Sequence, residues 1–240
     1  MTKTVLHKAD SRGVSSNGWI YAKHTFCFAD YYNTERIHFG ALRVINDLTI
    51  APGKGLDFHS NSDIEIILLT IKGDVIHRDD LGNEVELQEG SVQVLTTGSG
   101  YSHEEINKNK DQSVKLLQIW IFPFQKNLQP AYSWKQFEIE EGRNQLQLLV
   151  SPDKEDNVTL IQQNTRLYIT NLDRRKSLTY ELNDKNNGVY VLVTKGKVEV
   201  EGYILEDEDG LGVWETGAVS IKAKSASQVI VIEVPMDAYK

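Results

Sequence analysis

The chain has 240 residues, 40% of them apolar and 25% charged, enough to bury one large core or two smaller ones. A formal charge of -8 argues against nucleic acid or an anionic membrane as partner, and no apolar run reaches bilayer-spanning length. The start of the chain lacks the apolar core of a signal peptide, and the single cysteine, Cys27, excludes an internal disulfide or thiolate cluster; both point to a reducing, cytoplasmic setting.

Residues 1–24 mix polar residues with glycine and read as an extended lead-in with one short strand. The aromatic run 25–32 is expected to pack across the outside of a sheet. Residues 39–47 read as a strand ended by an Asn46-Asp47 turn, and 48–53 repeat the pattern with Pro52-Gly53 as the stop. Short β-like runs then recur at intervals of roughly 8–12 residues, the spacing of sandwiches and barrels. Residues 65–71 are apolar and β-branched, Asp80-Leu81-Gly82-Asn83 is a hairpin signal, and the run 114–122 is a long buried strand closed by Pro123. Helical periodicity is almost absent, and the best helix candidate is a short one over residues 130–137.

The second half repeats the first. Residues 189–200 parallel 64–77, and 228–235 parallel 114–123, each of the latter an apolar strand closed by proline. Self-similarity near half the chain length predicts two copies of one β-domain, 1–125 and 126–240, joined near residues 125–134. All six histidines lie at or before His103, so the second copy cannot hold an imidazole-ligated metal. Asp207 to Asp209 and Asp184 to Asn187 read as solvated loops, and Cys27 as a buried small hydrophobe.

Two clusters carry the chemistry: His59 and Asn61 in one stretch, His103 and Glu105 in another. Residues i and i+2 of a strand share a face, so each pair converges. Neither pair fills a coordination sphere alone; together, His59, His103 and Glu105 form the two-histidine, one-carboxylate set of non-haem iron oxygenases, with Asn61 or Glu65 as the fourth group. Glu105 could also act as a base towards an acidic hydroxyl if burial raised its pKa. The bland alternative is two surface histidines beside glycine-rich turns. His77 shares a face with Val75 and reads as a structural histidine bonded to an aspartate. His7, His24 and His38 have no partner at ligand spacing.

Nearly the whole chain resembles the pirin family of the cupin superfamily. The residues that carry the resemblance are Phe26-Cys27-Phe28-Ala29-Asp30-Tyr31-Tyr32, Phe39-Gly40-Ala41-Leu42-Arg43-Val44-Ile45-Asn46-Asp47 and Pro52-Gly53-Lys54-Gly55-Leu56. They continue in His77-Arg78-Asp79-Asp80-Leu81-Gly82-Asn83 and Thr97-Gly98-Ser99-Gly100-Tyr101-Ser102-His103-Glu104-Glu105. The resemblance implies an all-β bicupin: two face-to-face cupin barrels (double-stranded β-helix, or jelly-roll), with a metal in the first. It implies a divalent metal, iron(II) foremost with manganese, nickel, copper, zinc or cobalt as alternatives, held by three histidines and one glutamate. Carried onto this chain, the metal positions are His59, Asn61, His103 and Glu105. Asn61 stands in place of the family's second histidine and Ser60 in place of its proline, which predicts a weakened or metal-free site.

Two functions stay open on this reading. One is a metal-dependent dioxygenase of the quercetinase type, with a flavonol or related phenolic as substrate and Glu105 as ligand and base. The other is a non-catalytic ligand-binding or regulatory protein that works through an unknown protein partner. A bicupin pairs its barrels within one chain, so a monomer is expected.

Overall fold

The computed structural model describes residues 2–237; Met1 and residues 238–240, the outer ends of the two expected domains, lie outside them. Strands dominate, and helix among the described residues is confined to the 3-10 turns Ala9–Ser11, Ile139–Gly142 and Lys154–Asp156. The architecture is the expected bicupin.

Four sheets build it. The first barrel has a large sheet in the order Ala131–Gln136, Ser91–Thr96, Glu65–Lys72, Val114–Ile121, Leu42–Ile50, Ile20–His24, Gly13–Ser16. Its small sheet runs Gly55–Asn61, Tyr101–Asn107, Val75–Asp79, Glu84–Leu87. In the second barrel the large sheet runs Lys3–His7, Gly210–Trp214, Asn187–Lys195, Ser227–Pro235, Arg166–Leu172, Gln147–Ser151, Thr159–Leu160. The small sheet runs Ser177–Glu181, Ala218–Ala223, Val198–Val200, Tyr203–Leu205. The terminal strand Lys3–His7 thus pairs into the second large sheet, and Ala131–Gln136 into the first.

Alternation explains why the central strands read as unbroken apolar runs. Ile66 and Leu68 point into the first barrel, while Ile67 and Leu69 point into the core between the two large sheets. In the second barrel Val189, Val191 and Val193 face inward, and Tyr190 and Leu192 face the shared core. Both faces of these strands are covered, so both must be apolar. Each such fully buried side chain contributes roughly 1.5–3 kcal/mol, which ties the barrels into one body.

Four local expectations are corrected. Residues 131–136 form a strand, not a helix, because their backbone completes the edge beside Ser91–Thr96. The Asn46-Asp47 pair is no turn; one strand runs Leu42–Ile50 through it. Buried Asn46 is tolerated there because its amide meets His24 Nδ1 at 2.7 Å and Gln118 Oε1 at 3.1 Å. Asp209 is buried rather than solvated, accepting from the Ala9 N–H at 2.8 Å and pairing with Lys8. Asn187 is buried too, donating to Glu233 at 2.8 Å.

Candidate metal centre

Three neighbouring strands of the first small sheet meet at the site. On one side of Tyr101–Asn107, His103 lies opposite His59 and Tyr101 opposite Asn61; on the other, Glu105 lies opposite His77 and His103 opposite Asp79. Because alternate residues share a face, Tyr101, His103 and Glu105 all point into the barrel and are buried. The ladder to the His59 strand slips between His103 and Glu105, re-aiming one side chain relative to the next. Close approach there requires glycine: a Cβ on Gly55 would lie 2.3 Å from the Glu105 carbonyl oxygen.

Hydrogen-bond partners define the protonation pattern of the rings. His59 Nδ1 is 2.7 Å from the Asp57 carbonyl oxygen, so Nδ1–H donates and Nε2 keeps its lone pair. His103 Nδ1 donates to Glu105 Oε1 at 2.9 Å, and the Asn61 Nδ2 amide donates to its Nε2 at 3.3 Å. The two rings stand 4.5 Å apart between centroids. His59 thus keeps an Nε2 lone pair for a Lewis acid, whereas His103 Nε2 already accepts from Asn61, a bond that coordination there would displace.

Glu105 completes the set. Its Oε1 accepts from His103 and, at 3.2 Å, from His77 Nδ1, while its Oε2 is buried without a hydrogen-bond partner. A buried carboxylate oxygen left bare costs free energy unless something positive meets it, and His103 lies within the same compact group, with His59 next to it in the sheet. This donor set fits a divalent metal. Burial alone would raise the Glu105 pKa, but the bonds from His103 and His77 outweigh it and hold it at about 2. The condition for a strong base, a pKa raised by burial, is not what this geometry supplies.

His77 is buried and belongs to the cluster: one ligand-type atom each of His77, His103 and Glu105 lies within 4.8 Å of the others. Proximity alone would make His77 a ligand, yet its hydrogen bonds argue otherwise. Nδ1 faces Glu105, and Nε2 lies 3.4 Å from Asp79 Oδ2 and 3.3 Å from the Tyr101 hydroxyl. The single Tyr101 hydroxyl proton is donated to Asp79, so His77 is engaged at both ring nitrogens, by Glu105 on one edge and by Asp79 and Tyr101 on the other. The expected aspartate partner is present as Asp79, joined by two groups not singled out from sequence, Tyr101 and Tyr132. The Tyr132 ring stacks on His77 at 4.5 Å and an interplanar angle of 4°. Burial, then its bond to Asp79, raises the Tyr101 phenol pKa and keeps it protonated.

Glu65 is not at the site. It is buried in the large sheet, where its carboxylate accepts from Thr96 Oγ1 at 3.0 Å and from the backbone N–H groups of Gln162 at 2.8 Å and Gln163 at 2.7 Å. The remaining histidines are also spoken for: His7 Nδ1 meets Tyr190 at 2.9 Å, His24 bonds Ser15 and Asn46, and His38 meets the Gly40 carbonyl at 2.9 Å. In the second barrel the matching sheet carries Val198, Val200, Val219 and Ile221 into a packed apolar core.

Two cupin barrels, with a buried imidazole–carboxylate cluster found among the described residues only in the first, define a bicupin with one chemically equipped barrel. Residues 6–121 match the family described as Pirin, and residues 148–234 match the Quercetinase C-terminal cupin domain. A quercetin 2,3-dioxygenase of Escherichia coli (strain K12) is 35% identical over 230 residues, 96% of this chain and 98% of that one. A pirin-like protein of Caulobacter vibrioides is 34% identical over 225 residues, 93% of this chain and 96% of that one. Among solved structures, YhhW from Escherichia coli superposes with a TM-score of 0.92 at 34% identity, covering 99% of this chain and 100% of that one. The bacterial pirin YhhW in complex with nickel(II) superposes with a TM-score of 0.90 at 34% identity, covering 97% of this chain and 99% of that one. The chain belongs to the pirin family.

Proposed function

We propose that this chain is a metal-dependent dioxygenase of the quercetinase type, acting on a flavonol or a related small phenolic. His59, His103 and Glu105 would hold a divalent metal, iron(II) foremost, with Asn61 at the fourth position. The observation that carries this reading is Glu105 Oε2, buried and unpartnered in a compact group with His103, whose ring stands 4.5 Å from that of His59. Relatives named quercetin 2,3-dioxygenase and a related pirin solved with nickel(II) support it.

When bound, the metal supplies a Lewis-acid site for a substrate oxygen and, if redox-active, a route for electrons to dioxygen. The chain's own residues do the rest. The Asp57 carbonyl and Glu105 fix the ring orientations of His59 and His103. Glu105 stays ionised, bringing negative charge to the site. Asn61 offers an amide that can donate to a bound oxygen. The interior of the same barrel is apolar, with Ile66, Leu68 and Leu95 buried in one cluster with Tyr101.

The test is dioxygen consumption with quercetin and simpler phenolics, on iron(II)-, nickel(II)- and manganese(II)-loaded protein. The reading expects uptake that requires metal and falls at least about 100-fold in His103→Ala. Metal-loaded protein that takes up no dioxygen with any phenolic overturns it. Asn61 favours the second reading, a non-catalytic ligand-binding or regulatory pirin, because a neutral amide is a poorer ligand than imidazole. Ligand binding without turnover would support that alternative.

A further inference from the structure

The hairpin between Val75–Asp79 and Glu84–Leu87 carries the His77-to-Asn83 segment, to which the metal reading assigns no task. The structure gives it one. Asp79 is clamped by its own turn: Oδ1 accepts from the N–H groups of Leu81 at 3.0 Å and Asn83 at 2.8 Å, and Oδ2 accepts from Asn83 Nδ2 at 2.6 Å. This fixed carboxylate receives the Tyr101 hydroxyl proton and faces His77 Nε2. Tyr132 lies flat on the His77 ring and is itself anchored by donating to Gln93 at 2.9 Å. His77 is therefore held edge-on and face-on, with Nδ1 aimed at Glu105 Oε1.

We propose that His77 is a positioning residue for Glu105, locking its carboxylate so that Oε1 is occupied and Oε2 alone is presented to a metal. The proposal rests on the metal reading above and adds to it a support that runs from the Asp79–Asn83 turn through His77 to the carboxylate. The geometry separates His77 from the ligands: each of its nitrogens faces a carboxylate, Glu105 on one edge and Asp79 on the other, whereas His59 Nε2 faces none. Outer partners of this kind are worth about 10- to 100-fold in metal affinity.

The experiment measures nickel(II) affinity by calorimetry and the visible absorption of the cobalt(II) form, on the full chain and on variants checked for folding by circular dichroism. His77→Leu should weaken nickel(II) by about 10- to 100-fold and alter the cobalt(II) spectrum. His77→Gln, which can restore a donor, should recover most of the affinity, and Asp79→Asn should weaken it in the same direction. In metal-free wild-type protein, a downfield imidazole proton on His77 Nδ1 should be visible by NMR and lost in Glu105→Gln. Unchanged affinity and spectrum in His77→Leu overturn the proposal. So does a loss as complete as that of His103→Ala without rescue by His77→Gln, which would make His77 a ligand. If His77→Leu does not fold, an unchanged Asp79→Asn or a missing His77 proton overturns it. Wild-type protein that binds no nickel(II) overturns the metal reading instead, and the His77 proton then decides whether the lock on Glu105 exists.

Discussion

At position 61 an amide donates to His103 Nε2 at 3.3 Å, on the nitrogen that a metal would need. Two consequences follow from chemistry at this one side chain. A neutral amide is a weaker ligand than imidazole for first-row metals, and its hydrogen bond must be given up when His103 coordinates. Asn61→His should therefore raise nickel(II) affinity by at least about 10-fold, measured by calorimetry. Equal or weaker affinity would mean that the fourth position does not face the metal. The site residues were partly legible in the chain, because His103 and Glu105 share strand parity and so do His59 and Asn61. Tyr132 and Tyr101 were not, since what makes them matter is a ring stack and a hydroxyl contact between strands, whereas the aspartate beside His77 was expected.

Element by element, strands were most legible where both faces are covered, as in Glu65–Lys72 and Asn187–Lys195, and least legible at edges. Residues 131–136 carry Tyr132 and Trp134 with strand parity, but Pro130 before them reads equally as a helix start; the pairing with Ser91–Thr96 decides it, and that partner is distant in sequence. Asn46 misled for a similar reason, its amide being satisfied by His24 and Gln118 from neighbouring strands. Glu65 shows an element serving the neighbouring barrel, since its carboxylate caps the N–H groups of Gln162 and Gln163. Glu65→Ala would leave two backbone donors bare and should cost roughly 2–5 kcal/mol in urea unfolding. A change below about 0.5 kcal/mol would mean that the latch contributes nothing.

For the whole molecule, the two barrels share one core, and His7 sits in it. The strand Lys3–His7 pairs with Gly210–Trp214, and the His7 ring packs edge-on against Phe26 at 5.4 Å while bonding Tyr190. Burial, helped by the Arg36 charge, lowers its pKa from 6.5 to about 4. The sign follows from linkage. Between pH 6.5 and 4 the unfolded chain binds a proton that the folded chain refuses, so stability present above pH 6.5 is lost as pH falls to about 4. The loss should approach about 3 kcal/mol, and His7→Gln should remove that component of the pH dependence. Urea midpoints that fall equally in wild type and variant would contradict it.

The central claim is that the first barrel is a metal centre built on His59, His103 and Glu105. Elemental analysis of untagged protein, purified without chelator and again after anaerobic iron(II) loading, tests it most directly. The account predicts about one metal ion per chain, lost in His59→Ala and in His103→Ala, with both variants still folded. Protein that stays metal-free after loading, or that keeps its metal in both variants, would contradict it.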